Sequence, residues 1–171
     1  VGGSALAVYD VNGDGLTDVV TAMEAHNAGL SWFEQKRAES GAISFTEHAI
    51  MRGFRDAGNA GGVVFSQPHG AAMADVNGDG IPDFVVGKRH WSHHDGTTDP
   101  GTEGPAVLYA YKTVRDRTKP GGAYFVPELI HNRSGAGSQI VAKDLDGDGA
   151  TDLATTGDHG TFVFWQARRK N

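Results

Sequence analysis

Side chains that carry oxygen recur in one fixed pattern at three places along the chain. The copies begin at Asp10, Asp75 and Asp144, so their starts lie 65 and 69 residues apart. Each copy has Asp or Asn at positions one, three, five and nine, and glycines follow positions three and five. Oxygen ligands of this kind suit a hard cation, and calcium takes about 6 to 8 of them. Because glycine lets the backbone curl tightly around an ion, the pattern predicts three calcium-binding loops.

The residue at position seven has no oxygen in its side chain, so we expect its backbone carbonyl to be an additional ligand. An EF-hand is excluded, because its loop needs Glu at position twelve, where this chain has Thr21, Val86 and Thr155. The sequence therefore predicts about three calcium ions per chain. The predicted ligands are Asp10, Asn12, Asp14, Leu16 and Asp18 in the first copy, Asp75, Asn77, Asp79, Ile81 and Asp83 in the second, and Asp144, Asp146, Asp148, Ala150 and Asp152 in the third.

Short apolar runs flank every copy of the pattern. The runs are four to seven residues long and are bounded by Gly, Pro, Asp or Asn, which is typical of strands. Two repeats have four such runs and the third has three, so we predict an all-β fold with two four-stranded β-propeller blades plus a partial third. The predicted single propeller segment, 1–171, divides into blade 1 at about 1–55, blade 2 at about 63–132 and partial blade 3 at about 137–167.

Propellers close with roughly four to eight blades. We therefore expect further blades as partners, either from the same protein or from a second chain. An open wedge of blades would leave apolar sheet faces exposed, which is unfavourable.

The composition excludes several classes of protein. The chain has 171 residues with 25 glycines, which disfavours a helical bundle, and no cysteine for a disulfide or a thiolate metal site. The formal net charge is −6 and no basic stripe is present, so we expect no nucleic-acid partner. No apolar run approaches the roughly 18 residues of a membrane-spanning helix. The chain opens with Val1 rather than Met, and we expect it to be a processed or trimmed product.

The repeated aspartate pattern between two strands resembles the FG-GAP/VCBS repeat, which is found in integrin α-subunit propellers and in many exported bacterial proteins. The resemblance implies that each loop connects the first and second strands of a blade, on one face of the propeller. It also implies a role in adhesion, carbohydrate recognition or scaffolding. Some polysaccharide lyases have similar calcium-loop propellers, so the resemblance leaves catalysis open.

Histidines are placed in similar positions of the repeats. His26, His90 and His159 fall in the predicted loops between the second and third strands, and His69 precedes the first strand of blade 2. In a propeller these loops share the face opposite the calcium loops. Two interpretations stay open. The histidines either make only hydrogen bonds in turns, or form a cluster that binds a transition metal or an anionic ligand.

Blade 2 has a long insertion between its second and third strands, at 88–105. Loops of this length tend to be functional or disordered. Its candidate ligand-binding residues are His90, Trp91, His93, His94 and Asp95. Trp91 either stacks on a sugar ring while the histidines and Asp95 bind hydroxyl groups, or fills a gap between blades.

The leading hypothesis is a non-catalytic, calcium-stabilised module for recognition, adhesion or assembly, with a glycan or a protein as its ligand. We expect an extracellular or periplasmic location, because extracellular calcium modules bind at roughly 10⁻⁴ to 10⁻³ M. The chain has no nucleophile elbow, P-loop, dinucleotide fingerprint or catalytic cysteine. The alternative is a polysaccharide-active lyase or hydrolase, or a transition-metal enzyme, that uses the histidine-rich face.

Overall fold

The computed structural model of the chain describes residues 3–91 and 99–167, and most of its regular structure is β-strand. The strands form three antiparallel sheets, which confirms the predicted all-β fold. Within the described ranges there is no α-helix, and two single turns of 3₁₀ helix lie at Ala60–Gly62 and Pro120–Gly122. None of the helical segments in those ranges is long or apolar enough to cross a membrane.

Each sheet is a meander in which strands that follow one another in the chain pair side by side. Sheet 1 contains β1 (Leu6–Tyr9), β2 (Asp18–Ala22), β3 (Leu30–Arg37) and β4 (Ile43–Met51). Sheet 2 contains β5 (Pro68–Ala74), β6 (Asp83–Lys88), β7 (Leu108–Arg115) and β8 (Ala123–His131). Sheet 3 contains β9 (Ile140–Lys143), β10 (Asp152–Gly157) and β11 (Gly160–Phe164).

Sheets 1 and 2 pack face to face through one apolar cluster. Trp32 and Leu30 from sheet 1 and Phe84 and Tyr111 from sheet 2 are among its fully buried members. Successive side chains of a strand point to opposite faces of the sheet, so alternate residues of β2, β3 and β6 supply this cluster.

A second apolar cluster joins sheets 2 and 3. It contains Val85 and Leu108 from sheet 2 and Ile140 and Leu153 from sheet 3. Sheet 2 therefore lies between the other two sheets, and all six residues of its strand β6 are buried. A strand buried on both faces is a rigid support for the loop that precedes it.

Candidate functional site

The three aspartate patterns occupy equivalent places in the three sheets. Loop 1, loop 2 and loop 3 denote the nine-residue patterns that begin at Asp10, Asp75 and Asp144. Loop 1 leads from β1 to β2, loop 2 from β5 to β6, and loop 3 from β9 to β10. Each loop thus joins the first and second strands of its sheet.

The carboxylate at position one lies at the centre of each turn. Oδ1 of Asp10 accepts the N–H of Gly13 at 2.7 Å, and Oδ2 accepts the N–H of Gly15 at 3.0 Å. Asp75 and Asp144 make the same two bonds in their loops, at 2.7–2.9 Å. These bonds need backbone conformations that glycine adopts most easily, since the two glycines of loop 1 have φ of 80° and 85°.

Positions three and five hold the next turn of each loop. Oδ1 of Asn12 accepts the N–H of Asp14 at 3.0 Å, and Oδ1 of Asp14 accepts the N–H of Leu16 at 2.8 Å. Equivalent bonds occur in the other loops, from Asp79 and Ile81 in loop 2 and from Asp148 and Ala150 in loop 3. The side-chain oxygens therefore have fixed positions, while the role of the position-seven carbonyls stays a prediction.

The carboxylate at position nine is buried, and both of its oxygens are engaged by backbone N–H groups. Oδ2 of Asp83 accepts the N–H of Val76 at 3.1 Å, and Oδ1 accepts the N–H of Thr113 at 2.9 Å. Asp18 and Asp152 are held in the same way, at 2.8–3.1 Å. Position nine therefore ties the start of each loop to the third strand of its sheet or, for Asp152, to Gln166, two residues beyond that strand.

Burial gives two of these carboxylates an unusual electrostatic environment. Burial raises the pKa of Asp83 to about 6, and the neighbouring carboxylates of Asp79 and Asp75 add to the rise. Burial also raises the pKa of Asp18. The hydrogen bonds from the backbone oppose these shifts without cancelling them. A cation beside the loop would favour the ionised carboxylates.

Loop 3 has the donor geometry closest to a metal site. Asp144, Asp146 and Asp152 each place a carboxylate oxygen within 4.8 Å of the others. Across residues 3–91 and 99–167, no other group of three His, Cys, Asp or Glu meets this criterion. Loops 1 and 2 have Asn12 and Asn77 where loop 3 has Asp146, so an amide oxygen replaces one carboxylate oxygen there.

Loops 1 and 2 are also bound to the sheet that follows each of them. Arg115 at the end of β7 donates to the carbonyls of Val11 and Asp10 at 3.1 and 2.8 Å. Gln166 donates in the same manner to the carbonyl of Val76 at 3.1 Å. Nothing in the spacing of the aspartates predicts these contacts, because the donors lie 104, 105 and 90 residues away in sequence.

The predicted histidine-rich face contains two separate pairs of rings. His26 lies between β2 and β3, and its ring centroid is 6.2 Å from that of His69. The centroids of His90 and His159 are 4.5 Å apart. The prediction that His69 precedes the first strand of its repeat was wrong, because β5 begins at Pro68 and includes it. His93, His94 and Asp95 lie outside the described residues.

The insertion returns over this face and is held there by polar contacts. Asp99 accepts from Nε2 of Gln67 and contacts Nδ1 of His26, both at 2.9 Å. Thr102 accepts from Gln67 at 2.8 Å through its hydroxyl and from Nζ of Lys88 at 2.9 Å through its carbonyl. Sequence reasoning missed this network, because Gln67, Lys88 and Thr102 belong to no recognisable motif.

Two basic side chains of this face, Lys88 and His90, have a lowered pKa. Burial lowers the pKa of Lys88 to about 8. Burial, together with the nearby His159 and Lys88, lowers the pKa of His90. In the part of the chain that the structure describes, no three ligand groups of this face lie within 4.8 Å of one another. Trp91 is 44% exposed, and neither interpretation of its role is tested.

The comparison with protein families identifies the repeat. Residues 10–86 match the family model described as an FG-GAP-like repeat. The matched stretch begins at the first residue of loop 1 and ends within β6, so it contains loops 1 and 2. No curated protein matches the chain. The family match confirms the FG-GAP part of the resemblance over residues 10–86.

Proposed function

Because the chain contains an FG-GAP-like repeat, we propose that it is a segment of a calcium-stabilised β-propeller that serves extracellular recognition, adhesion or assembly and is not catalytic. The observation that carries the proposal is the identical placement of three acidic loops, each with a buried position-nine aspartate between loop and sheet. A structural cation explains why an acidic group is buried at the same point three times.

The calcium ligands would be the side-chain oxygens at positions one, three, five and nine of each loop, with the carbonyl at position seven. Hard oxygen donors without sulfur or imidazole fit calcium better than a transition metal. Support comes from loop 3, in which three carboxylate oxygens lie within 4.8 Å of one another. In loops 1 and 2 burial raises the pKa of Asp18 and Asp83 and the neighbouring carboxylates add to the rise, and a bound cation would oppose both effects.

The ion's contribution to function would be mechanical. The position-nine carboxylate bonds to the third strand, while the other predicted ligands belong to the turn between the first two strands. A bound ion would therefore join three parts of one sheet, and loops 1 and 2 are also contacted by the sheet that follows each of them. Ligand binding to the folded state alone stabilises it, by about 1.4 kcal/mol per site at a calcium concentration ten times Kd.

The propeller arrangement is supported by the way in which the sheets stack. Val20 of sheet 1 faces sheet 2, and Val85, at the equivalent position of sheet 2, faces sheet 3. The same face of each sheet therefore meets the next sheet. The two outer faces have exposed apolar side chains, among them Leu6 at 61% and Val163 at 44%. Further sheets from the same protein or from a second chain would cover these faces.

A second candidate function places a ligand or an active centre on the histidine-rich face. The observation that favours it is the buried amine of Lys88, which lies near His90 and whose pKa burial lowers to about 8. A glycan or protein ligand, or the active centre of a polysaccharide-active lyase or hydrolase or of a transition-metal enzyme, would then involve His26, His69, His90 and His159. His159→Ala, at an exposed turn, would abolish that binding or activity and leave the melting temperature unchanged.

Thermal unfolding with and without calcium tests the first proposal. We expect the melting temperature in 5 mM calcium to exceed that in excess EDTA by roughly 5 °C or more, because about 1 kcal/mol shifts it by roughly 2–4 °C in a domain of this size. Magnesium at the same concentration is the control, since it dehydrates reluctantly and prefers other geometry. Equal melting temperatures in calcium and EDTA would contradict the proposal.

A further inference from the structure

A cleft of about 670 Å³ separates the outer strands of sheets 1 and 2. Pockets for small molecules commonly have volumes of roughly 300–1,000 Å³. Its apolar wall includes Ile50 from β4 and Phe125 and Pro127 from β8. No residue of the calcium loops or of the histidine-rich face lines the cleft, although Asn12 of loop 1 donates to Oε1 of Glu34 at 3.2 Å and to the carbonyl of Gly121 at 3.0 Å.

The imidazole of His48 lines the cleft and is oriented by a buried carboxylate. Nε2 of His48 lies 2.9 Å from Oε2 of Glu34, and the side chain of Glu34 is 4% exposed. In the tautomer with the proton on Nε2, that nitrogen donates to the Glu34 carboxylate, and Nδ1 is the ring nitrogen that remains for a molecule in the cleft.

The ring is also fixed by its packing. It stacks on Trp32 with the centroids 4.4 Å apart and the planes inclined by 24°. The backbone of Gly121 adjoins both rings, since a Cβ added there would lie 2.8 Å from Nε2 of His48 and 2.7 Å from the Trp32 ring. Only glycine fits there. The buried Glu34 carboxylate, the Trp32 ring and the nearby backbone together set the orientation of His48, so its imidazole is preorganised for binding.

Positive charge surrounds the opening of the cleft. Arg52 and Lys119 are exposed residues of its lining, and Nζ of Lys119 lies 5.9 Å from the ring centroid of Tyr124. Asp56 is the acidic residue in the lining, and its Oδ1 already accepts the N–H of Gly58 at 2.7 Å. The cleft thus combines apolar walls, two cations, one carboxylate and the oriented imidazole of His48.

We propose that this cleft binds a small phenolic carboxylate. The ring of the ligand packs against Tyr124 and the apolar wall, and its carboxylate pairs with Arg52 and Lys119. Its hydroxyl group donates to Nδ1 of His48. Charge complementarity selects an anion, and the apolar wall selects an aromatic body over a sugar ring with several hydroxyl groups that need partners.

Calorimetric titration with 4-hydroxybenzoate tests the proposal. We expect one ligand per chain with Kd below about 1 mM. Benzoate lacks the hydroxyl group and 4-hydroxybenzyl alcohol lacks the carboxylate, and each should bind at least about fivefold more weakly. Galacturonate is the comparison for a sugar acid. Tighter binding of galacturonate than of 4-hydroxybenzoate, or no heat of binding at about 10 mM ligand, would overturn the proposal.

Variants assign the binding to the cleft. His48→Gln and Lys119→Met should each weaken the binding of 4-hydroxybenzoate by at least about fivefold. Lys143→Met, which removes an exposed cation from β9 outside the cleft, is the matched control and should bind as the wild type does. Lys119 is exposed, so its replacement keeps the test valid even if His48→Gln folds poorly. Unchanged affinity in Lys119→Met would contradict the proposal.

Discussion

The buried carboxylate of Asp152 accepts the backbone N–H of Gln166 at 2.9 Å, and the side chain of Gln166 donates to the carbonyl of Val76 at 3.1 Å. One residue thus connects the end of loop 3 with the start of loop 2. Thr113 and Arg115 make the equivalent connection between Asp83 of loop 2 and Val11 of loop 1. The three acidic loops are therefore coupled through the sheets that carry them.

Position nine should stabilise the fold even without calcium. Asp152→Ala leaves the N–H groups of Leu145 and Gln166 without their acceptor, and we expect the free energy of unfolding in EDTA to fall by roughly 2–4 kcal/mol. Asp148→Ala is the control from the same loop, because it frees only the N–H of Ala150 and should cost about 1 kcal/mol. Urea unfolding measures both values. Equal losses would contradict a special role for position nine.

The aspartate at position five should stabilise the protein mainly by binding calcium. Asp79→Asn keeps an oxygen that accepts the N–H of Ile81, removes the negative charge and loses only the exposed bond from Nδ2 of Asn77. We expect the melting temperature in EDTA to change little, while the gain on adding calcium falls by about a third, since one of three predicted loops is impaired. Glu39→Gln, at an exposed turn, is the control for loss of charge. A calcium gain as large as that of the wild type would argue against loop 2 as a calcium site.

The stability should depend on pH through Lys88. Burial lowers its pKa from 10.5 to about 8, so the unfolded state holds this proton more tightly than the folded state. The cost of the buried charge is therefore full below about pH 8 and decreases as the pH rises toward 10.5. Lys88→Met removes this cost. We expect its stability relative to the wild type to fall by roughly 2 kcal/mol between pH 7 and pH 9.5.

Urea unfolding of both proteins at the two pH values measures the Lys88 effect. Lys143→Met removes an exposed lysine from β9 and controls for the change in net charge. A difference between Lys88→Met and the wild type that is the same at both pH values would show that the buried amine does not titrate as described.

The close contact at Gly121 should be sensitive to a single methyl group. Gly121 and Gly122 have φ of 70° and 84°, so alanine at either position strains the backbone. Only at Gly121 does the added Cβ also meet Trp32 and His48 at less than 3.0 Å. We expect Gly121→Ala to destabilise the fold by at least about 1–2 kcal/mol more than Gly122→Ala. Equal effects in chemical unfolding would contradict the packing described around His48.

The sequence predicts those features that depend on local spacing. The aspartate pattern located the three loops, and the apolar runs gave the number and order of the strands, because turn residues and alternation act over a few positions. Strand ends were less well placed, as at His69, since side chains from neighbouring sheets decide where pairing stops.

Contacts between repeats could not be predicted from the sequence. The pairing of His90 with His159 and of Gln67 with Asp99 depends on how the sheets stack and how the insertion returns. Glu34 and His48 belong to different strands and to no motif, so the register of β3 and β4 alone brings them together. The electrostatic environment of the position-nine carboxylates also depends on their burial, which the sequence does not show.

The central claim is that the three acidic loops bind calcium, and equilibrium dialysis against radioactive calcium tests it most directly. At about 5 mM free calcium we expect close to three ions per chain, and Asp79→Asn should lose about one of them while Glu39→Gln loses none. Less than one ion per chain in the wild-type protein, folded as judged by its thermal transition, would contradict the account.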